Sequence, residues 1–334
     1  NSWKPLGWIF AIASCGILSF YAVIMGWTAD TFFHSLFVGL PSDMNQAGEF
    51  FGRISSGNSV FIGQIFSLAL TGVVVAAGVR GGIERLTRWC MPLLFGLLLI
   101  LAVWATTLPG AWDGYTSFFL KWDPSELFNK TTIRNAFTQA FFSLSLGIGI
   151  MVAYSSYLDK GNKLPKEALG VASFDTSVGL LAGMITFPIV MSFGLKDVIS
   201  DSTVGALFIA LPTGFANLGV FGRFLAAIFF GLAFIAAITS SISLLEVPVS
   251  SMMDRLGWKR NKAVWTSTLL VFLLGIPSAI SLDFLGNMDA IFNVLLILGG
   301  FLISILLGWV VPRKYDEDLA GCDSDPGVRR YLKF

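Results

Sequence analysis

The sequence has 334 residues, 55% hydrophobic and 13% charged, with a formal net charge of +1. Soluble domains carry about 25% charged residues, so a chain at half that share, with a mean hydropathy of +0.75, cannot cover its apolar surface and must use lipid as part of its solvent. The near-neutral charge excludes a nucleic-acid footprint; the scattered Cys15, Cys90 and Cys322 form no disulfide framework or thiolate spacing; and the one histidine, His34, reads as a surface residue that cannot build a metal centre alone.

A helix crosses the hydrocarbon core with about 20 apolar residues. In chain order, spans are expected near 5–31, 58–79, 89–108, 132–158, 168–194, 223–253, 264–282 and 287–311, so about eight crossings. Lys and Arg concentrate in one set of connections: Arg80, Arg85 and Arg88; Lys160, Lys163 and Lys166; Arg255, Lys259, Arg260 and Lys262. Arg53, Lys121, Lys130 and Lys196 are spread over the longer, opposite loops. The first set should face the cytoplasm, together with Lys4 and the mixed-charge tail 312–334. The outer loops, near 32–57, 109–131 and 195–222, are long; the third holds an apolar stretch, Val204 to Leu211, too short to span and expected to form a helical hairpin on the outer surface. Residues 1–334 read as a single transmembrane domain with no second soluble domain. The chain opens at Asn1 beside a hydrophobic run, as a piece of something longer would.

Ionisable groups inside a span are costly unless paired or solvated, so each is a functional candidate. Three stand out: Asp175, Glu246 and Asp289. Asp289, near the outer end of the last span, has a second reading as a cap or a partner for the helix dipole. Glu246 reads as a support or packing partner. The fourth span runs Gln139-Ala140-Phe141-Phe142-Ser143-Leu144-Ser145-Leu146-Gly147-Ile148-Gly149. Glycine costs about 1 kcal/mol in a helix and serine competes for backbone bonds, so the helix is expected to break near 143–149; the same small residues would also permit close packing. The sixth span carries Ala236-Ala237-Ile238-Thr239-Ser240-Ser241. Those hydroxyls either bond back to carbonyls one turn earlier or, with the Ala236 carbonyl, present oxygens to a hard cation such as Na⁺.

In combination these segments resemble the neurotransmitter:sodium symporter family, in its bacterial, amino-acid-carrying branch. The fourth span resembles the family's broken sixth helix; Thr239-Ser240-Ser241-Ile242-Ser243-Leu244-Leu245-Glu246 resembles its eighth; Gly82-Ile83-Glu84-Arg85 and Met91-Pro92-Leu93-Leu94-Phe95 resemble the start of its fifth. The resemblance implies an all-α polytopic protein with the family's inverted-repeat, LeuT-like fold, here covering family helices three to ten. Residues 1–108 would be the remainder of the first repeat, 132–311 the second, and 312–334 a cytoplasmic loop.

The resemblance also implies roles. Ile17, Tyr21, Phe142, Ser143, Ser145, Ile148, Ser240 and Leu244 would bind substrate, with Ile17, Ser145, Ile148 and Leu244 around its side chain. Ser143 and Asp175 would hold one sodium ion, Asp175 standing where the family usually has asparagine. Ala236, Thr239 and Ser240 would hold a second. Tyr21, Phe142 and Asp289 would gate the site, and Gly82 with Pro92 would let the fifth helix unwind. The implied activity is symport of Na⁺ with a neutral, apolar L-amino acid across a bacterial inner (plasma) membrane, by alternating access, with Na⁺ and no organic cofactor. The expected partners are the amino acid, sodium ions and the bilayer, without nucleic acid and with a homodimer left open. This piece alone would be inactive if helix one is missing. A non-transporting receptor or scaffold on the same fold is the alternative. Nothing in the sequence suggests an enzyme: there is no nucleophile–base set and no metal motif.

Overall fold

The computed structural model describes residues 4–121, 123–157, 164–194 and 203–310, and every regular element among them is helical. Lys160, Lys163, Lys196, Cys322 and the tail 312–334, each given a place from sequence, lie outside these residues. In chain order the helices are α1 (Lys4–Phe37), α2 (Met44–Ile54), α3 (Gly57–Ala76), α4 (Glu84–Ala105), α5 (Ala111–Phe119), α6 (Lys130–Ser143), α7 (Ile150–Ser155), α8 (Leu164–Ser192), α9 (Leu211–Ala216), α10 (Gly219–Leu256), α11 (Arg260–Ile280) and α12 (Leu282–Ile305).

By length and composition, seven of the described helices can cross a membrane: α1, α3, α4, α8, α10, α11 and α12. The fourth span expected from sequence is not continuous. Its residues form α6, of 14 residues, and α7, of 6, with an irregular stretch between; neither reaches the roughly 20 residues a crossing needs. At 1.5 Å per residue α1 and α10 are about 50 Å long or more, well beyond a hydrocarbon core of about 30 Å, so both must tilt or extend past it. α1 is the central post. It packs on α3, α10, α11 and α12, and most of its apolar window is buried, whereas α4, α8 and α12 keep most of theirs outward.

The loops expected between spans hold helices of their own. Asp43 caps α2, its carboxylate accepting from the amides of Asn45 and Gln46 at 3.0 and 3.2 Å, which satisfies donors a helix start leaves open. Ala47, Phe50, Phe51 and Ile54 then form the buried stripe of α2 at helical spacing. His34 is half-buried, not a free surface residue: it sits in the last turn of α1, its Nε2 lies 3.2 Å from Arg53 Nη2, and its ring meets Phe50 at 4.8 Å. α5 lies against α8, with the Gly110 amide donating to the Ser192 hydroxyl at 2.9 Å.

The stretch Val204 to Leu211 departs from expectation. It does not rest on the outer surface. A π-helical turn, Ala206–Ala210, leads into α9, and Phe208 and Phe215 are 0% exposed. Phe208 meets Trp27 of α1 at 5.8 Å, Phe51 of α2 at 5.7 Å and Phe230 of α10 at 6.4 Å. Burying one such ring stabilises by about 2–3 kcal/mol, which a helix lying on the surface would forgo. The residues preceding it, 195–202, lie outside the described residues.

Candidate functional site

The break between α6 and α7 is built by three backbone conformations that an α-helix cannot contain. Ser145, Gly147 and Gly149 have φ of 57°, 81° and 80°; Ser145 is the one non-glycine residue with positive φ among the described residues. Such a residue is uncommon and is held only where its surroundings fix it. Contact does the fixing here. A Cβ on Gly147 would stand 2.1 Å from the Leu296 carbonyl oxygen of α12, and one on Gly299 would stand 1.9 Å from the Gly147 oxygen. The break therefore lies backbone to backbone on α12, where no side chain fits. Both readings left open by the sequence hold: the small residues break the helix and also allow close packing.

At the break lies a cavity of about 250 Å³, lined by Tyr21 of α1, Gln139, Phe142 and Ser143 of α6, Ser145, Ile148, Ile150, Asp175 of α8, and Ser240 and Leu244 of α10. Sites for drug-sized ligands run to about 300–1,000 Å³, so this one suits something smaller. Its lining divides into an oxygen-rich part and an apolar part formed by Phe142, Ile148, Ile150 and Leu244. Asp175 is the single Asp, Glu, Lys, Arg or His in that lining. The Ser143 hydroxyl donates to its carboxylate, and Tyr21 and Ser240 are hydrogen-bond partners across the cavity. Of the residues the resemblance implied for substrate, all but Ile17 line the cavity; Ile17 is 1% exposed within the core. Gln139 and Ile150 line it without having been singled out.

The oxygens of α10 are partly turned inward on their own helix. Thr239 Oγ1 donates to the Ala236 carbonyl at 2.8 Å, and Ser241 donates to Ile238 O at 2.8 Å. The bonding back expected as one alternative therefore occurs at both. It does not exhaust Thr239, whose hydroxyl keeps its lone pairs beside the Ala236 oxygen. Asp289 is exposed on α12, bonded to Asn293 one turn on, and does not line the cavity. Gly82 closes a π-helical turn, Val79–Ile83, before α4, and Pro92 sits inside α4, where it removes one ladder donor.

A buried ion pair lies at the end of the bundle that carries the basic loops. Glu246 of α10 is 0% exposed. Arg260, the first residue of α11, donates to it with Nη1 at 3.1 Å and Nη2 at 2.5 Å. Its Nε donates to Val75 O of α3 at 2.8 Å, and Tyr157, just past α7, donates to Glu246 Oε1 at 2.9 Å. Tyr154 of α7 meets Ser243 of α10 at 2.8 Å. Arg260 had read only as one loop cation among several, and nothing in its neighbourhood of sequence points to a residue 14 positions earlier.

Residues 53–307 match the model of the family described as the sodium:neurotransmitter symporter family. The chain is 37% identical to an uncharacterised sodium-dependent transporter of Bacillus subtilis, over 92% of this chain and 70% of that protein. It is 32% identical to an uncharacterised sodium-dependent transporter of Haemophilus influenzae, over 99% of this chain and 76% of that one. Its fold is similar to the crystal structure of MhsT in complex with L-phenylalanine, at a TM-score of 0.88 and 34% identity, covering 100% of this chain and 79% of that chain.

Proposed function

The chain belongs to the sodium:neurotransmitter symporter family, a multi-pass membrane protein with a LeuT-like fold, and from that premise we propose that it carries a neutral, apolar L-amino acid with Na⁺ across a bacterial plasma membrane by alternating access. The observation that carries this reading is the composition of the cavity at the helix break. One carboxylate, Asp175, and the hydroxyls of Ser143 and Ser240 share a small space with Phe142, Ile148, Ile150 and Leu244. An amino acid brings one ammonium, one carboxylate and one side chain. Among the described residues no Lys or Arg lines the cavity beside Asp175, and a cation carried with the cargo would balance it. A hard monovalent ion suits carboxylate and hydroxyl oxygen. The apolar part offers nothing to pair with a charged side chain, and burying an unpaired charge is costly. The similarity to a protein crystallised with L-phenylalanine supports the same class.

In this reading Ser143 and Asp175 hold one sodium ion beside the substrate. The Ala236 carbonyl with Thr239 and Ser240 holds a second. Tyr21 and Phe142 close over the bound amino acid, and Asp289 contributes to an outer gate. Gly82 and Pro92 loosen the start of α4. Coupling arises because ion and substrate share one cluster of groups, so each raises the other's affinity by the same factor. The test is uptake of radiolabelled leucine, phenylalanine and lysine by the protein, expressed from its complete gene, in proteoliposomes. Accumulation of the neutral amino acids on an inward Na⁺ gradient, lost when K⁺ or choline replaces Na⁺, supports it. Equal uptake in K⁺ overturns the coupling; preferred uptake of lysine overturns the substrate class; saturable binding without accumulation marks a receptor on this fold instead.

A further inference from the structure

Helix α1 meets the broken segment at successive turns of one face. Phe10 lies under the end of the break, its Cβ 2.7 Å from where a Cβ on Gly149 would stand. One turn on, the Ser14 hydroxyl, 0% exposed, donates to the Ile148 carbonyl at 3.0 Å. Two turns further, Tyr21 enters the cavity wall. Residues three and four apart share a helix face, so one stripe of α1 supports both the break and the pocket.

The Ile148 carbonyl stands just outside the hydrogen-bond ladder of α7, whose first bond runs from the Ala153 amide to Gly149 O at 2.8 Å. A buried carbonyl outside the ladder needs a donor from elsewhere, and Ser14 supplies it across 134 residues of sequence. Ile148 is also the residue of the break whose apolar side chain lines the cavity. Its neighbours, Gly147 and Gly149, both sit at positive φ, where glycine has low-cost alternatives. Where the Ile148 side chain stands therefore depends on contacts from outside the break. Gly147 is held from the α12 side by the Leu296 oxygen and Gly299, and Gly149 packs on Phe10 of α1; at Ile148 itself the tie to α1 is the Ser14 hydroxyl.

We propose that Ser14 is a positioning residue that pins Ile148 in the pocket wall and so sets which side chains the pocket accepts; this rests on reading the cavity as the amino-acid site. Ser14 does not itself line the cavity. Without its hydroxyl the wall is free to shift along α1, weakening the preferred amino acid and admitting others, while the ion-binding oxygens are left in place.

The experiment compares wild type with Ser14→Ala and Ser14→Thr, each expressed from the complete gene and reconstituted in proteoliposomes, with KM and kcat measured for alanine, valine, leucine and phenylalanine. The expected result for Ser14→Ala is a KM for the preferred amino acid raised about three- to tenfold, kcat within twofold of wild type, and a flattened ranking among the four. Ser14→Thr, which keeps the hydroxyl, should restore both KM and ranking. Should Ser14→Ala fail to give a monodisperse protein, Ser14→Cys, a weak donor of similar size, is expected to show the same direction at smaller size. Unchanged KM and ranking in Ser14→Ala overturn the proposal. So does a fall in kcat at constant KM, or equal impairment in Ser14→Thr, since either marks Ser14 as packing. Wild type that accumulates no amino acid on a Na⁺ gradient overturns the underlying reading and the pin with it; wild-type transport with an indifferent Ser14→Ala overturns the pin alone.

Discussion

Arg260 holds Glu246 with both terminal guanidinium nitrogens, at 3.1 and 2.5 Å, and the carboxylate they grip is 0% exposed. Through Tyr157 and Val75 O the same pair ties the end of α7 to α3, α10 and α11. Removing one partner of a buried ion pair leaves the other charge uncompensated, at a cost of about 3–5 kcal/mol, whereas replacing both with apolar groups is often near neutral. Arg260→Met is therefore expected to lower the thermal midpoint of the detergent-solubilised protein sharply, and Glu246→Leu with Arg260→Met to recover most of the loss. The check is a thermal-melt double-mutant cycle. Additive losses would show that the two residues act independently.

Gly147→Ala should be far more damaging than its size suggests. The residue sits at φ 81°, which costs an L-residue about 1–2 kcal/mol. Its new Cβ would also stand 2.1 Å from Leu296 O, so α12 would have to move. The sum is expected to exceed about 3 kcal/mol. Gly286→Ala, in the same helix α12 as Leu296, meets nothing within 4 Å and should stabilise by up to about 1 kcal/mol. Melting curves of the two variants side by side decide it: similar midpoints would mean the break does not depend on backbone contact with α12.

Long apolar runs and the helix break were legible in the sequence because each has a local cause. Bilayer thickness dictates the length of a run such as that of α3, and two serines and two glycines within the seven residues Ser143 to Gly149 make a helix break cheap there. The residues assigned to substrate came from the resemblance; seven of the eight line the cavity, and Ile17 lies in the core. What escaped depends on tertiary contact. Phe208 reads as part of an apolar hairpin on the outer surface until Trp27, Phe51 and Phe230 are brought around it. Arg260 looks like a positive-inside loop residue, and its partner lies a helix away. Ser14 is one hydroxyl in an apolar run, and only the opening of the chain at Ile148, 134 positions later, gives it an acceptor.

Ile148→Phe tests the shape of the apolar part. Ile148 is 2% exposed and lines a cavity of about 250 Å³ that also holds Phe142 and Leu244. A ring at this position takes space that a substrate side chain would use, and a well-packed wall does not yield freely. Competition of unlabelled amino acids against labelled substrate should then lose phenylalanine and other large side chains first, by about tenfold or more, roughly 1.4 kcal/mol, with alanine least affected. A uniform loss across all sizes would mean the residue acts on closure of the site and not on its volume.

Asp175→Asn separates charge from shape at the same cavity. Asparagine keeps a carbonyl oxygen in nearly the same place but removes the one formal charge in the lining. Two unit charges 4 Å apart attract by about 4 kcal/mol where the effective dielectric is near 20, and part of that is offset by the cost of stripping water from the ion. An increase of about tenfold or more in the Na⁺ concentration for half-maximal uptake is the expected outcome, about 1.4 kcal/mol, with the ranking of neutral amino acids kept. Wild type and Asp175→Asn with the same Na⁺ dependence would remove Asp175 from the ion site and leave its bond to Ser143 as a brace between α6 and α8.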